Sequence, residues 1–166
     1  MSTADAPLPA APVIPGPPPH VLVVRAPYYR EVIEGMSWGA LAILQASGAT
    51  HELLDVAGSF ELPQTVGLAV RSGRQFDGYV ALGCIVRGGT DHYDYICRGT
   101  VEGLMQVALL HGVALGSGVL TVHSIEQAVA RSGRDGFNKG AEAAVAALLQ
   151  IAAIRRFAGD ADGVPS

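Results

Sequence analysis

Segments of strand and helix character alternate along this chain. That alternation predicts an α/β fold, a three-layer sandwich with a four-stranded parallel sheet and helices on both faces. Two further observations support it. The strand-like runs, HVLVV at 20–24 and GYVALGC at 78–84, are apolar at nearly every position, as strands buried on both faces are. The chain has 166 residues, 49 % of them apolar and 16 % charged, which suits one folded domain with a core that needs no disulfide or metal staple.

The elements follow in order. His20–Val24 is a short apolar run rich in β-branched residues, hence a buried strand. Tyr29–Ala46 carries Val32, Ile33, Met36, Ala40, Leu41 and Leu44 at helical spacing, and Gly48 stands where a helix would stop. Glu52–Val56 is a second strand. Pro63 sits at the first turn of a helix that runs to about Ser72. Gly78–Cys84 is a third strand, and Ile85–Asp91 a loop leading into a helix that ends near His111. Gly118–Val122 is a fourth strand. Ser124 to Gln127 reads as a capping box opening a short helix that ends near Arg131. Asn138 caps an Ala-rich helix to Phe157. Pro12 limits residues 10–14 to an edge strand at most.

Residues 1–19 hold seven of the ten prolines, no aromatic and no basic residue. They read as an extended, solvated, Pro-rich arm, with Pro17-Pro18-Pro19 either part of a plain tail or a recognition segment. The domain then covers 20–158, and 159–166 read as a disordered tail. A net charge of −4 with a single lysine, Lys139, is the wrong footprint for nucleic acid. Two cysteines, Cys84 and Cys97, are too few for a disulfide framework or a four-ligand zinc site and read as buried reduced thiols. No basic residue precedes Arg25 and no run of 18 apolar residues occurs, so the expectation is a soluble cytoplasmic protein with no membrane contact.

In open parallel sheets, ligands bind outside the carboxyl ends of the strands. The segments there are Arg25–Tyr29, Ala57–Pro63, Cys84–His92 and Thr121–Ser124. In Cys84–His92, Gly88 and Gly89 permit backbone conformations closed to other residues, and their amides with Thr90 could form an anion site beside Arg87. The same RGGT is also what an ordinary glycine turn looks like. His92 falls on the first helical turn, where the dipole would favour its neutral form; it is either a surface residue or a proton shuttle. Gly58–Pro63 sets an aromatic and a carboxylate before a helix, as a stacking face with an acceptor or as a simple helix start. Arg131–Gly140 is a glycine-broken turn with three cations, which a solvated connection also explains. A P-loop, a dinucleotide G-x-G-x-x-G after the first strand, a G-x-S-x-G elbow and paired metal-ligand spacing are all missing from the sequence.

Taken in order, Gly58–Pro63, Ala81–Gly88 with Thr90, His92–Tyr95, Gly118–Thr121, Ile125–Ala128 with Arg131, and Asn138–Gly140 resemble the lumazine synthase family. The resemblance covers about 20–157. It implies a flavodoxin-like fold and a condensation that needs no cofactor and no metal. The substrates would be 5-amino-6-(D-ribitylamino)uracil and 3,4-dihydroxy-2-butanone 4-phosphate, and the product 6,7-dimethyl-8-ribityllumazine, in riboflavin biosynthesis. His92 matches the proton-transfer group. Tyr28, Ser59, Phe60, Glu61, Cys84, Ile85, Val86 and Ser117 match positions that hold the pyrimidine and its ribityl chain. Gly89, Thr90 and Arg131 match those that hold the butanone phosphate. Lys139 as a Schiff-base lysine is disfavoured, because the substrate brings its own amine.

The resemblance also implies a homo-oligomer built of rings of five, extending in some members to sixty-subunit shells, with riboflavin synthase as an associated partner. One subunit would bring Tyr28, Phe60, Glu61 and His92 to each site, and its neighbour Ser117 and Arg131. The sequence departs from the family pattern in places. Tyr28 stands where Phe or Trp is usual, after Pro27 in place of Arg; Ser117 stands where Phe or Asn is common; Asp91 puts a carboxylate beside the phosphate loop. These departures motivate the alternative of a non-catalytic, lumazine- or flavin-binding or shell-forming homologue.

Overall fold

The computed structural model describes residues 9–134 and 136–161. Residues 1–8 of the expected arm and 162–166 of the expected tail lie outside that range. Four strands, β1 (His20–Arg25), β2 (Thr50–Asp55), β3 (Gly78–Val86) and β4 (Ala114–Val122), form one all-parallel sheet in the order β2-β1-β3-β4. Five helices connect and follow them: α1 (Arg30–Ala46), α2 (Leu62–Arg71), α3 (His92–His111), α4 (Ile125–Val129) and α5 (Lys139–Ala161). The predicted flavodoxin-like α/β class is the observed one.

The period of two along the central strands sends alternate side chains to two cores. Val21, Val23, Val80 and Leu82 pack with α1 and α5 around Ile33, Met36, Leu44, Leu148 and Ile151. Leu22, Val24, Tyr79 and Ala81 pack with α2 and α3 around Leu62, Val66 and Leu104. Left-handed glycines stop α1 and α3, Gly48 at φ +73° and Gly112 at φ +60°. Among the described residues no helix is long and apolar enough to cross a membrane.

Several boundaries differ from the sequence expectation. β3 runs two residues past Cys84, because its ladder to β4 continues through the Val86–Val122 pair. β4 starts at Ala114, four residues before Gly118. Its glycines serve close packing: a methyl on Gly116 would overlap the Ala143 carbonyl. β2 is an edge strand, exposed along most of its length. Ser124 makes no side-chain cap, so the expected capping box is not formed; the Gln127 Oε1 instead accepts from the His123 N–H at 2.9 Å. Helix α5 continues past Phe157 to Ala161. The described part of the arm forms no strand. It lies on the domain, with Ala11 and Ile14 against the α1–α5 core, and Arg155 Nη1 donating to the Pro15 and Pro17 carbonyls at 2.7 and 2.8 Å. Ala10, Val13 and Pro15–Pro18 are exposed, so the described part of the arm touches the core at a few residues only.

Candidate functional site

The order β2-β1-β3 means that connections leave β1 and β3 in opposite directions, which opens a crevice at their carboxyl ends. A cleft of about 570 Å³ lies there. Its first wall is the turn after β1. Pro27 starts a 3-10 turn through Tyr29, and Tyr28 stands three-quarters exposed at the cleft, edge-on to Tyr29 at 5.1 Å. The residue that departs from the family pattern therefore initiates the turn that presents the ring. The second wall is Ala57–Glu61, whose 3-10 turn (Ser59–Glu61) leaves the Phe60 ring 57 % exposed. The floor is the end of β3, Cys84, Ile85 and Val86. Burial pushes the Cys84 thiol up to about 11, so it lines the floor as a neutral group.

The far side is Gly88, Thr90 and the start of α3, where His92 is the first helical residue. Gly89 is exposed on the loop between Gly88 and Thr90, outside the cleft lining. Neither Gly88 nor Gly89 has a positive φ, so the loop does not use the backbone freedom expected of them. The Arg87 guanidinium does not point along this loop as a free cation. It lies 5.3 Å over the Tyr93 ring and 3.5 Å from the Asp94 carboxylate. Asp91 precedes α3 with its side chain exposed and makes no cap. Burial raises the Tyr93 hydroxyl above the usual phenol range.

Ser117 and Arg131 lie elsewhere. A second cleft, about 410 Å³, runs along β4 and is lined by Ser117–Val122, Arg131, Lys139, Glu142, Ala143 and Ala146. Lys139 Nζ pairs with Glu142 at 2.5 Å and lies 4.8 Å over the Phe137 ring. Arg131 Nη1 donates to the Gln127 carbonyl at 2.9 Å, which steadies the guanidinium without neutralising it. The cysteines are unpaired, Cys84 buried and Cys97 only half-buried, where both were expected inside.

Eleven of the twelve site residues read from the sequence thus line a cleft, but two different clefts: nine in the first, Ser117 and Arg131 in the second. Tyr29, Tyr93 and Ile96 were missed. Ile96 is four residues after His92, so helical spacing alone places it on the same face. Glu142 was missed likewise, three residues after Lys139.

Comparison with known proteins gives the chain its relatives. The family model of 6,7-dimethyl-8-ribityllumazine synthase matches residues 18–155. The enzyme of that name from Bartonella tribocorum (strain CIP 105476 / IBS 506) is 39 % identical over 139 residues, 84 % of this chain and 92 % of its own. That of Sphingopyxis alaskensis (strain DSM 13593 / LMG 18877 / RB2256) is 41 % identical over 138 residues, 83 % and 96 %. That of Kineococcus radiotolerans (strain ATCC BAA-149 / DSM 14245 / SRS30216) is 45 % identical over 139 residues, 82 % and 85 %. A match across nearly the whole domain, on a fold whose strand ends carry the family's motifs, places this chain in the 6,7-dimethyl-8-ribityllumazine synthase family.

Proposed function

We propose that this chain condenses 5-amino-6-(D-ribitylamino)uracil with 3,4-dihydroxy-2-butanone 4-phosphate, and that each site joins the first cleft of one subunit to the second cleft of its neighbour. The family supplies the reaction. The observation that carries the shared site is the division itself: His92 and the aromatic walls line one cleft, Arg131 the other. The exposed apolar face of α3, with Val101, Met105, Leu109 and Leu110, supports burial against further copies. A head-to-tail closed ring, of five subunits as the resemblance implies, uses such a heterologous interface. We assign it to the cytoplasm.

The chemistry suits the residues. The pyrimidine ring stacks between Tyr28 and Phe60, with the Glu61 carboxylate as an acceptor. Its 5-amine attacks the ketone, and loss of one water gives an imine. Phosphate leaves, the ribitylamino nitrogen closes the second ring, and a second water departs. Each step moves a proton. His92, at the mouth of the cleft, accepts and returns it, an effect worth roughly 10²–10⁴-fold. Alignment of two diffusing substrates supplies much of the remaining acceleration. The Gly89–Thr90 loop and the neighbour's Arg131 hold the phosphate and then stabilise it as it leaves.

Mixing the protein with both substrates and following lumazine fluorescence tests the reaction; uracil binding without product would refute it. The shared site has a separate test. His92→Ala and Arg131→Ala proteins are dissociated, mixed equally and reassembled, with mixed rings confirmed by mass. An intact site needs His92 from one chain and Arg131 from the next, so roughly a quarter of wild-type activity returns. If one chain supplied both, mixing would restore nothing.

A further inference from the structure

We infer that Thr100 is a positioning residue of this site: its hydroxyl ties the helix that carries His92 to the turn that presents Phe60 and Glu61. The inference rests on the proposed function for its kinetic consequence, but the tie itself is a matter of geometry. Thr100 lies on α3, eight residues beyond His92, and is fully buried. A threonine inside a helix commonly turns its hydroxyl back onto its own backbone. Here the Oγ1 donates across to the Ser59 carbonyl at 3.2 Å. That carbonyl also accepts the N–H of Leu62, the bond that closes the 3-10 turn Ser59–Glu61. The turn rests on two carbonyls, Gly58, which accepts the Glu61 N–H at 3.2 Å, and Ser59, and Thr100 holds the second from outside the turn.

The rest of the contact is cut to fit this turn. A methyl on Gly99 would stand 3.1 Å from Phe60 Cε2, and one on Gly103 would stand 2.9 Å from Pro63 Cβ. From the opposite side, a methyl on Gly83 of β3 would stand 2.7 Å from Ser59 Oγ and 2.9 Å from Leu62 Cδ1. The segment Ser59–Pro63 is thus seated between β3 and α3 with no room for a shift toward either. Close packing limits translation, but it does not choose the orientation of a peptide plane. Hydrogen bonds do: the Leu62 N–H orients the Ser59 carbonyl from within the turn, and Thr100 ties the same carbonyl to α3. The consequence is specific: the stacking ring and the carboxylate keep a fixed relation to His92, because the same helix holds both.

Thr100→Val keeps the shape and removes the hydroxyl; Thr100→Ser keeps the hydroxyl. One net hydrogen bond corresponds to roughly three- to tenfold in an equilibrium constant. The Val protein should raise KM for the uracil substrate by about that factor, with kcat and the KM for the butanone phosphate within about twofold of wild type. The Ser protein should restore the uracil KM. Independently of activity, amide hydrogen exchange at Phe60, Glu61 and Leu62 should quicken in the Val protein and return in the Ser protein. A Val protein with wild-type uracil KM and wild-type exchange overturns the inference, as does a fall in kcat alone. If the wild-type protein makes no lumazine, the proposed function fails, while the exchange measurement still decides the tie. Should the Val protein not fold, the Thr100→Ala and Thr100→Ser proteins give the same comparison.

Discussion

Asn138 is the residue whose removal should separate the two clefts in a kinetic assay. Its side chain is fully buried and uses all its hydrogen-bonding capacity. The Oδ1 accepts from the Gly140 and Ala141 N–H groups at 2.9 and 3.0 Å, capping α5. The Nδ2 donates to the Gly35 and Gly133 carbonyls, both at 2.9 Å. Asn138→Ala loses a cap, worth about 1 kcal/mol. It also strips two carbonyls of a donor, at about 0.5–1.5 kcal/mol each, with Gly35 at the low end because its carbonyl lies within a helix. The sum is about 2–4 kcal/mol. Asn138→Ser restores a cap acceptor but no carbonyl donor, so it should recover about 1 kcal/mol of that loss. Urea unfolding at fixed protomer concentration measures both. Asn138 also adjoins the backbone bond from Lys139 N to the Arg131 carbonyl, at 2.9 Å. The Ala protein should therefore raise KM for the butanone phosphate more than KM for the uracil substrate. An Ala protein within 0.5 kcal/mol of wild type, as a rough limit for a neutral change, would refute this reasoning. So would equal stability of the Ala and Ser proteins.

His92→Ala should lower turnover at least about tenfold and leave uracil binding, measured by titration, nearly unchanged, because proton transfer is made in the transition state. Arg131→Ala should raise KM for the butanone phosphate by about 10–150-fold, the worth of a charge-assisted phosphate contact, and more than KM for the uracil; equal effects would make the arginine structural. Burial raises the Cys84 thiol in the folded chain to about 11, so the neutral thiol's contribution to stability is present below the unfolded value and is lost as pH rises toward about 11. Alkylation of the folded protein at about pH 8 should accordingly reach Cys97 before Cys84, read by peptide mass. Removing residues 1–16 should keep the fold and turnover but lower unfolding stability by about 1–2 kcal/mol, since half-buried Ile14 leaves the core; an unchanged urea midpoint would show that the arm's packing contributes nothing.

The fold was legible where burial writes itself into composition. β1 and the body of β3 are buried on both faces, so their apolar runs name them. β2 was legible too, although it is an exposed edge, because Leu53, Leu54 and Val56 break a polar stretch. The start of β4 was hidden for a definite reason. Gly116 looks like a turn residue in sequence, yet it is glycine because α5 presses onto the strand there, at the Ala143 carbonyl. That requirement belongs to the partner helix, which local periodicity cannot report; only a strand-length segment with no breaker on either side would have hinted at it.

The sequence names candidate site residues, eleven of which line a cleft, but not which cleft each one lines. Motif order names His92, Phe60, Glu61 and Arg131 equally well whether they meet or not, because order along the chain does not say which loops share a cleft. The register settles that within one chain: Cys84 pairs with Leu120 and Ile85 with Thr121, so β4 stands beside the floor of the first cleft while Arg131 opens onto its outer edge. The cleft lined by Tyr28, Phe60 and His92 has no Arg or Lys in its lining, and the cleft lined by Arg131 and Lys139 has no aromatic. One substrate of the family reaction is a flat heterocycle and the other a phosphate ester. Thr90, matched to the phosphate, lines the first cleft and Ser117, matched to the pyrimidine, the second, so in the shared site we propose both substrates span the two clefts, and the amine of one meets the ketone of the other where the two surfaces face one another. In the arrangement we propose, a second copy of the chain, placed head to tail, presents the surface that one copy lacks.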